Sequence, residues 1–378
     1  MRRSLAIFVS LLMVALAGAA LAEFIFADSS YTPGEARLPA ETPPEAEQYS
    51  ERVEISISAA GDVTLGGNMR GNPRSNMYTR ALEEKGGDLS YFFANVLSIF
   101  GQDDLTIVNF EGTLTNATDH KNNEYCFRAP PEHVKILPLG SIEAVAFENN
   151  HVMDFRQQGY EDTLRAFESE GIVYAADGHL GVYETKGVKI GMLAYQTFGD
   201  AYERLHEQVP RDIAAARAQG CMIVVVSYHW GEERDYAPHD RQQALGRATI
   251  DAGADLVLGH HSHRHNPIEL YNGRYIVYSL GNFSFSGNTG PRDMDTFIFQ
   301  QKFVVTPSAV MPGAFRIIPC SISSVTAERD LKTGVNDLAP TPFAPGGAGS
   351  QRVISAMLAN GKKLPYAVGA YPTEWEPY

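Results

Sequence analysis

The chain has 378 residues, with 31 lysines and arginines against 45 aspartates and glutamates, for a formal net charge of −14. This acidic balance argues against nucleic acid or an anionic membrane surface as a general partner, because both are bound by basic surfaces. With 44% hydrophobic residues, most of the chain can build a folded core, which excludes extensive disorder. Three cysteines are too few, and odd in number, for a disulfide framework.

The first 22 residues have the pattern of an export signal. Arg2 and Arg3 precede an apolar stretch over 5–17, and small residues at 20–22 offer a cleavage point before Glu23. An uncleaved membrane anchor is the alternative, since the apolar character approaches a spanning length. Either form predicts an exported protein in the periplasm or at the cell surface. Residues 23–52, with four prolines among scattered glutamates, predict a flexible linker.

Short β-rich runs alternate with helical patterns from residue 53 to residue 258. Such interleaving predicts an α/β fold, with a parallel or mixed sheet covered by helices on both faces. The predicted strands are Val53–Ala59, Leu105–Phe110, Ala144–Phe147, Val188–Ala194, Cys221–Ser227 and Asp255–Leu258, and the predicted helices are Tyr160–Ser169, Arg211–Gln219 and His239–Asp251.

The pattern after residue 267 changes to strands joined by turns. Asn272-Gly273 between two of these strands is a strong hairpin signal. The folded domain is therefore expected to span 53–325. Residues 326–378, rich in proline and glycine, are expected to form an extended tail with one short helix near 353–358. The predicted strands are Ile268–Tyr271, Arg274–Ser279, Thr296–Val305 and Phe315–Ser324.

Polar side chains recur directly after the predicted strands of the α/β region. Loops beyond the carboxyl ends of parallel strands are where ligands bind in α/β sheets, so these side chains can converge on one site. Each alone has a simpler explanation as a turn residue, a helix cap or a buried histidine, but together they favour a site for Mn, Fe or Zn. They are Asp62, Asn109, Glu111, Asn149, Asn150, His151, Asp154, His229, His260, His261, His263 and His265.

These residues fall into spaced motifs through which 53–285 resembles the bacterial capsule synthesis family (CapA/PgsA), which serves poly-γ-glutamate production. That family is a branch of the calcineurin-like metallophosphoesterases. The resemblance implies a four-layer α/β sandwich, two divalent metal ions, and a membrane-bound polymer synthase as partner. The motifs are Gly61-Asp62, Asn109-Phe110-Glu111, Asn149-Asn150-His151-x-x-Asp154, His229-Trp230-Gly231-Glu232-Glu233, Gly259-His260-His261-x-His263 and Tyr278-Ser279-Leu280-Gly281-Asn282-Phe283.

The resemblance also implies roles for individual residues. His151, backed by Asp154, would stabilise charge on the substrate or protonate a leaving group. Two ions roughly 3.5–4 Å apart would activate a water and polarise the electrophile. His260 is an alternative to His261 by register. The implied metal ligands are Asp62, Glu111, Asn150, His229, His261 and His263, with Asn109, Glu232, His260 and Asn282 as further pocket residues.

Two residues depart from the phosphoesterase pattern in a way that weakens one metal position. Thr64 stands where a histidine is usual, and Glu111 where an aspartate is usual. Three hypotheses follow: a metal-dependent hydrolase or transferase acting on a surface polymer or phosphoester, a non-hydrolytic accessory protein that binds growing poly-γ-glutamate, or a secreted binding module. Because the chain is acidic, a polyanion would have to bind locally, near bases such as Arg234, Arg241 and Arg264.

Overall fold

Two mixed β-sheets lie face to face in the computed structural model, which describes residues 52–69, 77–287 and 290–375. The expected export signal lies outside these residues, as does the expected linker except for Arg52. Within the described ranges, no helix has both the length and the apolar character needed to cross a membrane.

The first sheet has seven strands, and its central strands carry part of the predicted site. In spatial order the strands are β16 (Thr341–Pro342), β15 (Ala309–Ser321), β14 (Asp295–Thr306), β1 (Val53–Val63), β3 (Leu105–Phe110), β6 (Ala144–Ala146) and β7 (Val173–Ala175). Strands β1, β3, β6 and β7 run parallel, whereas β14, β15 and β16 add antiparallel neighbours on the other side of β1.

The second sheet has six strands and supplies the histidines. Its centre is parallel, and an antiparallel strand closes each edge. In spatial order the strands are β12 (Ile268–Tyr271), β13 (Arg274–Val277), β11 (Leu256–His260), β10 (Ile223–His229), β9 (Val188–Gln196) and β8 (Gly181–Thr185).

Helices and a small third sheet complete the described fold. The third sheet is ordered β2 (Gly67–Asn68), β5 (Phe127–Ala129) and β4 (Thr113–Leu114). The α-helices are α1 (Met77–Glu84), α2 (Leu97–Phe100), α3 (Ile136–Leu139), α4 (Arg156–Ser169), α5 (Ala201–Ala218), α6 (Asp240–Asp251), α7 (Ser324–Glu328) and α8 (Ala348–Gly361), with 3-10 helices at Leu89–Phe93 and Pro131–Lys135.

Three hydrophobic clusters separate the layers of the molecule. The central cluster holds alternate residues of both large sheets, for example Ile55 and Ile57 of β1 with Val225 of β10. A second cluster packs the outer face of the seven-stranded sheet against α1 to α4, and a third packs the outer face of the six-stranded sheet against α5 and α6. Alternation along a strand directs side chains to opposite faces, which explains the separation. The predicted four-layer α/β sandwich is therefore confirmed.

The hairpin at 272–273 is confirmed, whereas the C-terminal segment differs from its prediction. Asn272 and Gly273 both have positive φ, the conformation of a two-residue turn between β12 and β13. The expected extended tail instead packs on the core, where α8 lies against β14 and β15 and buries Val353 and Met357 completely. Half of the residues of α8 are alanine, glycine or serine, so its apolar spacing is weak in the sequence.

Candidate metal centre

The carboxyl ends of the central strands of both sheets carry the candidate site. The strands end later than predicted, so Asp62, His229 and His260 lie within β1, β10 and β11 rather than after them. Register places Asp62 beside Asn109, and His229 beside His260. The pairing of β1 with β3 shifts between Ala60 and Asp62, a bulge that redirects the strand end.

Two glycines permit the close backbone contacts around the site. A Cβ on Gly61 would lie 1.9 Å from the carbonyl oxygen of Gly281. A Cβ on Gly259 would lie 2.0 Å from the carbonyl oxygen of Tyr278. Neither position can hold a side chain without moving backbone, so the motif glycines bring strand ends together.

Three residues from the two sheets form the core of the candidate site. One potential ligand atom from each of Asp62, Glu111 and His229 lies within 4.8 Å of the others, and all three residues are buried. Oε1 of Glu111 is buried without a hydrogen bond, at 3.7 Å from Nε2 of His151 and 3.8 Å from Nε2 of His263. A buried carboxylate oxygen facing two imidazole nitrogens fits a cation, and this donor set suits Mn, Fe or Zn.

The remaining histidines surround this core. His263 Nδ1 lies 3.1 Å from Oδ2 of Asp62, and His260 Nδ1 lies 3.3 Å from Oδ1 of the same carboxylate. His261 contacts His229 instead, with 3.0 Å between its Nδ1 and the partner Nε2. Both His261 and His263 have positive φ, a strained conformation that concentrates at functional sites.

Buried charges shift the pKa values of the cluster in opposite directions. Burial, reinforced by the charge of Asp62, raises the pKa of Glu111 well above its usual value. Burial also opposes ionisation of Asp62, but hydrogen bonds from His260 and His263 outweigh it and lower the pKa of that carboxyl. Burial lowers the pKa of His229 and brings that of His261 to about 4. The two buried carboxyl groups therefore disfavour ionisation of each other.

Other predicted residues take different places. His151 Nδ1 donates to Oδ2 of Asp154 over 2.7 Å, and His151 faces Glu111. Asn282 Oδ1 accepts from Nδ1 of His263 over 2.8 Å. Oδ1 of Asn150 is buried and has no hydrogen-bond partner. Glu232 lines a separate cavity of about 230 Å³.

Thr64 has turned away from the centre. Its hydroxyl donates to the carbonyl of Gly66 over 3.1 Å and lies 3.2 Å from the hydroxyl of Ser286. A threonine hydroxyl held in this way is not available to replace the histidine of the phosphoesterase pattern.

The sequence places Asn149 at the site without indicating its role, and it does not indicate the aromatic residues around the centre. Asn149, rather than Asn150, is the buried hub of its loop, with hydrogen bonds to Asn109, Phe110 and His151. Aromatic rings also enclose the centre, with Phe127 at 4.6 Å from His151, Phe285 at 4.8 Å from His263 and Phe198 at 4.7 Å from His261, between ring centroids. Phe198 follows β9, so the strand-end rule could have selected it. Nothing in the sequence singles out the other two.

Comparisons with known proteins identify the family of this chain. Residues 56–286 match the family model described as bacterial capsule synthesis protein PGA_cap. The PGA biosynthesis protein CapA of Bacillus subtilis (strain 168) is 32% identical over 308 residues, which cover 76% of each chain. A probable polyglutamine synthesis accessory protein of Mycobacterium tuberculosis is 26% identical over 61% of this chain and 69% of its own length.

Among solved structures, the calcineurin-like phosphoesterase YfkN of B. subtilis superposes with a TM-score of 0.43 at 13% identity, covering 76% of this chain and 94% of that chain. The family model spans more than half of the chain, and the CapA relative shares nearly a third of its aligned residues. The chain belongs to the bacterial capsule synthesis protein family PGA_cap.

Proposed function

We propose that this protein is a metal-dependent hydrolase that acts on an anionic surface polymer of the poly-γ-glutamate kind. The observation that carries the proposal is a cleft of about 730 Å³ that reaches His151 and His263. The same cleft is lined by Arg234, Arg264 and Arg292. Potential hydrolytic groups and anion-binding groups thus share one cavity.

The arginines allow an anionic polymer to bind locally, although the whole chain has a net charge of −14 and would repel it. Three arginines and two glutamates, Glu124 and Glu233, line the cleft, so it carries a local excess of positive charge. Arginine binds carboxylates in a bidentate manner, which suits a polymer with a carboxylate on each residue. Arg241 does not line this cleft; it lines the separate cavity that contains Glu232, and it pairs with Glu203.

Asp62, near the end of β1, and Glu111, just after β3, would hold the metal from the seven-stranded sheet, and the surrounding histidines would complete the ligand set. Each carboxylate presents one oxygen toward Asn109 and the other toward His263, as expected if two positions share the pair. When bound, divalent ions supply Lewis-acid activation of the scissile carbonyl and of water. Mn, Fe and Zn remain the candidates by donor chemistry.

His151 is the proposed proton donor to the leaving group. Its Nδ1 is fixed by Asp154, whose Oδ2 also accepts the backbone N–H of Phe127 over 2.8 Å. Nε2 is thereby directed toward Glu111 and the cleft. An imidazole oriented by a carboxylate is suited to general acid chemistry near neutral pH.

Incubation of the full-length protein with poly-γ-glutamate tests the proposal. We expect the polymer to shorten when Mn²⁺ is present and to stay intact with a chelator or with His151→Ala. Asp119→Asn, which removes an exposed carboxylate, is the matched control and should cleave normally. Cleavage that survives both chelation and His229→Ala would refute a metal-dependent reaction.

The orientation of Thr64 favours a second candidate, a non-hydrolytic accessory protein that binds the growing polymer beside a membrane-bound synthase. One ligand of the phosphoesterase pattern is lost, since the Thr64 hydroxyl is held by Gly66 and Ser286. Complementation of a capsule-deficient deletion strain separates the candidates. Full rescue by an Asp62→Ala/His261→Ala form would establish the accessory role, whereas failure of that form alone supports hydrolysis.

Location at the cell envelope is part of the proposal. It rests on the export pattern of residues 1–22 and on the capsule-related relatives. Fractionation of cells that produce the full chain should place it in the membrane or periplasmic fraction. Deletion of 1–22 should retain the protein in the cytoplasm.

A further inference from the structure

Asn109 occupies the centre of the buried cluster. Its Nδ2 lies 2.8 Å from Oδ1 of Asp62, 3.3 Å from Oε2 of Glu111 and 3.4 Å from Nδ1 of His229. One amide nitrogen therefore faces all three residues of the core. We call these three residues the inner triad.

The hydrogen-bond network fixes which end of the amide points inward. Asn149 Oδ1 accepts the backbone N–H of His151 over 3.0 Å, and its Nδ2 donates to the backbone carbonyl of Phe110 over 2.8 Å. Backbone groups have one polarity only, so the orientation of Asn149 is determined. Its Nδ2 then donates to Oδ1 of Asn109 over 3.2 Å, which leaves the Asn109 NH₂ group directed at the inner triad.

An NH₂ group at this position competes with a cation. Its two hydrogens engage lone pairs on Asp62 and Glu111 that a metal would require, and their partial positive charge repels an ion from the space beside His229. The other oxygen of Glu111, Oε1, does not contact Asn109; it has no hydrogen bond and faces His151 and His263. The two sides of the carboxylate pair are therefore unequal.

We infer that the two metal positions differ strongly in affinity, and that Asn109 is the residue that weakens the inner one. This inference rests on the metal site of the proposed function. The first ion binds on the side of Glu111 Oε1, and the second binds only when the Asn109 amide turns away from the inner triad. Asn109 thus positions the ligands and limits how many ions the protein holds.

Titration of the full-length protein with Mn²⁺, monitored by calorimetry and by electron paramagnetic resonance, tests the inference. We expect a tight step for one ion and a separate weak step, with signals of isolated Mn²⁺ until the weak step fills. Asn109→Asp replaces the donor with a carboxylate and should tighten the weak step by roughly 10–100-fold, the range for partners of metal ligands. Asn95→Asp, on an exposed turn, is the matched control and should match wild type.

Two results would overturn the inference. One is a titration of the wild-type protein that shows two binding steps of equal affinity, or coupled Mn²⁺ pairs at low occupancy. This result does not depend on the folding of any variant. The other is an Asn109→Asp protein that folds and binds as the control does. If the protein binds metal in two unequal steps but does not cleave the polymer, this inference stands and only the proposed hydrolysis fails. If the protein cleaves the polymer but binds two ions with equal affinity, only this inference fails.

Discussion

Asp62 and Asn282 are joined by a parallel backbone bridge that ties the end of β1 to the loop after β13. The Asp62 N–H donates to the Gly281 carbonyl and the Asp62 carbonyl accepts from the Phe283 N–H, each over 2.9 Å. The two side chains then meet at one imidazole, because Nδ1 of His263 contacts both. Backbone pairing therefore sets the orientation of a candidate metal ligand.

Asn282→Ala should weaken metal binding without removing a ligand of the inner triad. His263 would lose its contact with Oδ1 of Asn282, and loss of such an outer partner typically costs 10–100-fold in affinity. Calorimetric titration with Mn²⁺ measures the change, with Asn95→Ala as control. Unchanged affinity would show that Asp62 alone orients the ring.

Asp154→Asn should slow polymer cleavage while metal occupancy stays the same. Asparagine can still accept through its amide oxygen, but the charge that stabilises a protonated His151 is gone. We expect kcat to fall by roughly 10–100-fold with little change in KM, less than the 10²–10⁴-fold that general acid catalysis contributes. A parallel loss of bound metal would instead indicate a structural role for Asp154.

Gly61→Ala should destabilise the fold by several kcal/mol, on the order of 3 or more, since the new methyl group would overlap a backbone carbonyl 1.9 Å away. Gly369→Ala is the matched control, because no heavy atom lies within 4 Å of that position and its φ is not positive. Urea denaturation compares the two variants. Equal stability would mean that the bulge at β1 opens readily.

Met357→Ala should cost about 2–5 kcal/mol of unfolding free energy, the usual range for a truncated core side chain. Met357 is fully buried in the central cluster, whereas the adjacent Leu358 is 36% exposed. Leu358→Ala should therefore have a much smaller effect. Similar effects at both positions would contradict the packing of α8 against the sheet.

Asp103 gives a prediction about pH. Burial raises the pKa of this carboxyl to about 7 despite hydrogen bonds from Ser58 and Thr106, and the charges of Glu143 and Asp104 add to the effect. An unfolded aspartate ionises near about pH 3.9, so between about pH 4 and 7 the folded state holds a proton that unfolding releases. The contribution of Asp103 to stability therefore falls as pH rises through this window.

Asp103→Asn should remove the decrease in stability that Asp103 causes as pH rises from about 4 to 7. We expect the variant to gain on the order of 1–3 kcal/mol over wild type near neutral pH, after discounting for partial exposure, and to converge with it near about pH 4. Urea denaturation of both proteins across this range measures the difference. Curves that run parallel would contradict a raised pKa at this position.

The layers could be predicted because alternation of strand and helix patterns is local. The strand Leu105–Phe110 is predicted at its observed bounds, since a short, mainly apolar run predicts a buried strand. The packing of α8 could not be predicted, because Val353 and Met357 stand among small residues and only the sheet beneath them makes the helix amphipathic.

Positions at strand ends predict which residues belong to the candidate site, but they do not predict how the side chains contact one another. Sequence order places Asn109 and Asn149 near the site without saying that one amide orients the other. Likewise, the motif shows a threonine at position 64, but only the tertiary contact with Ser286 shows that its hydroxyl is occupied. Side-chain direction in a buried network depends on every partner at once.

Asp62 and Glu111 extend from one sheet and its following loop, whereas His229 and His260 belong to the other. An ion bound by ligands from both sheets would cross-link two layers that are otherwise held together mainly by apolar packing. Ligand binding at 100 times its Kd adds about 2.7 kcal/mol to folding, a large part of a typical margin. Loss of the metal would then lower the free energy of unfolding as well as the activity, and it would make the chain more susceptible to proteolysis.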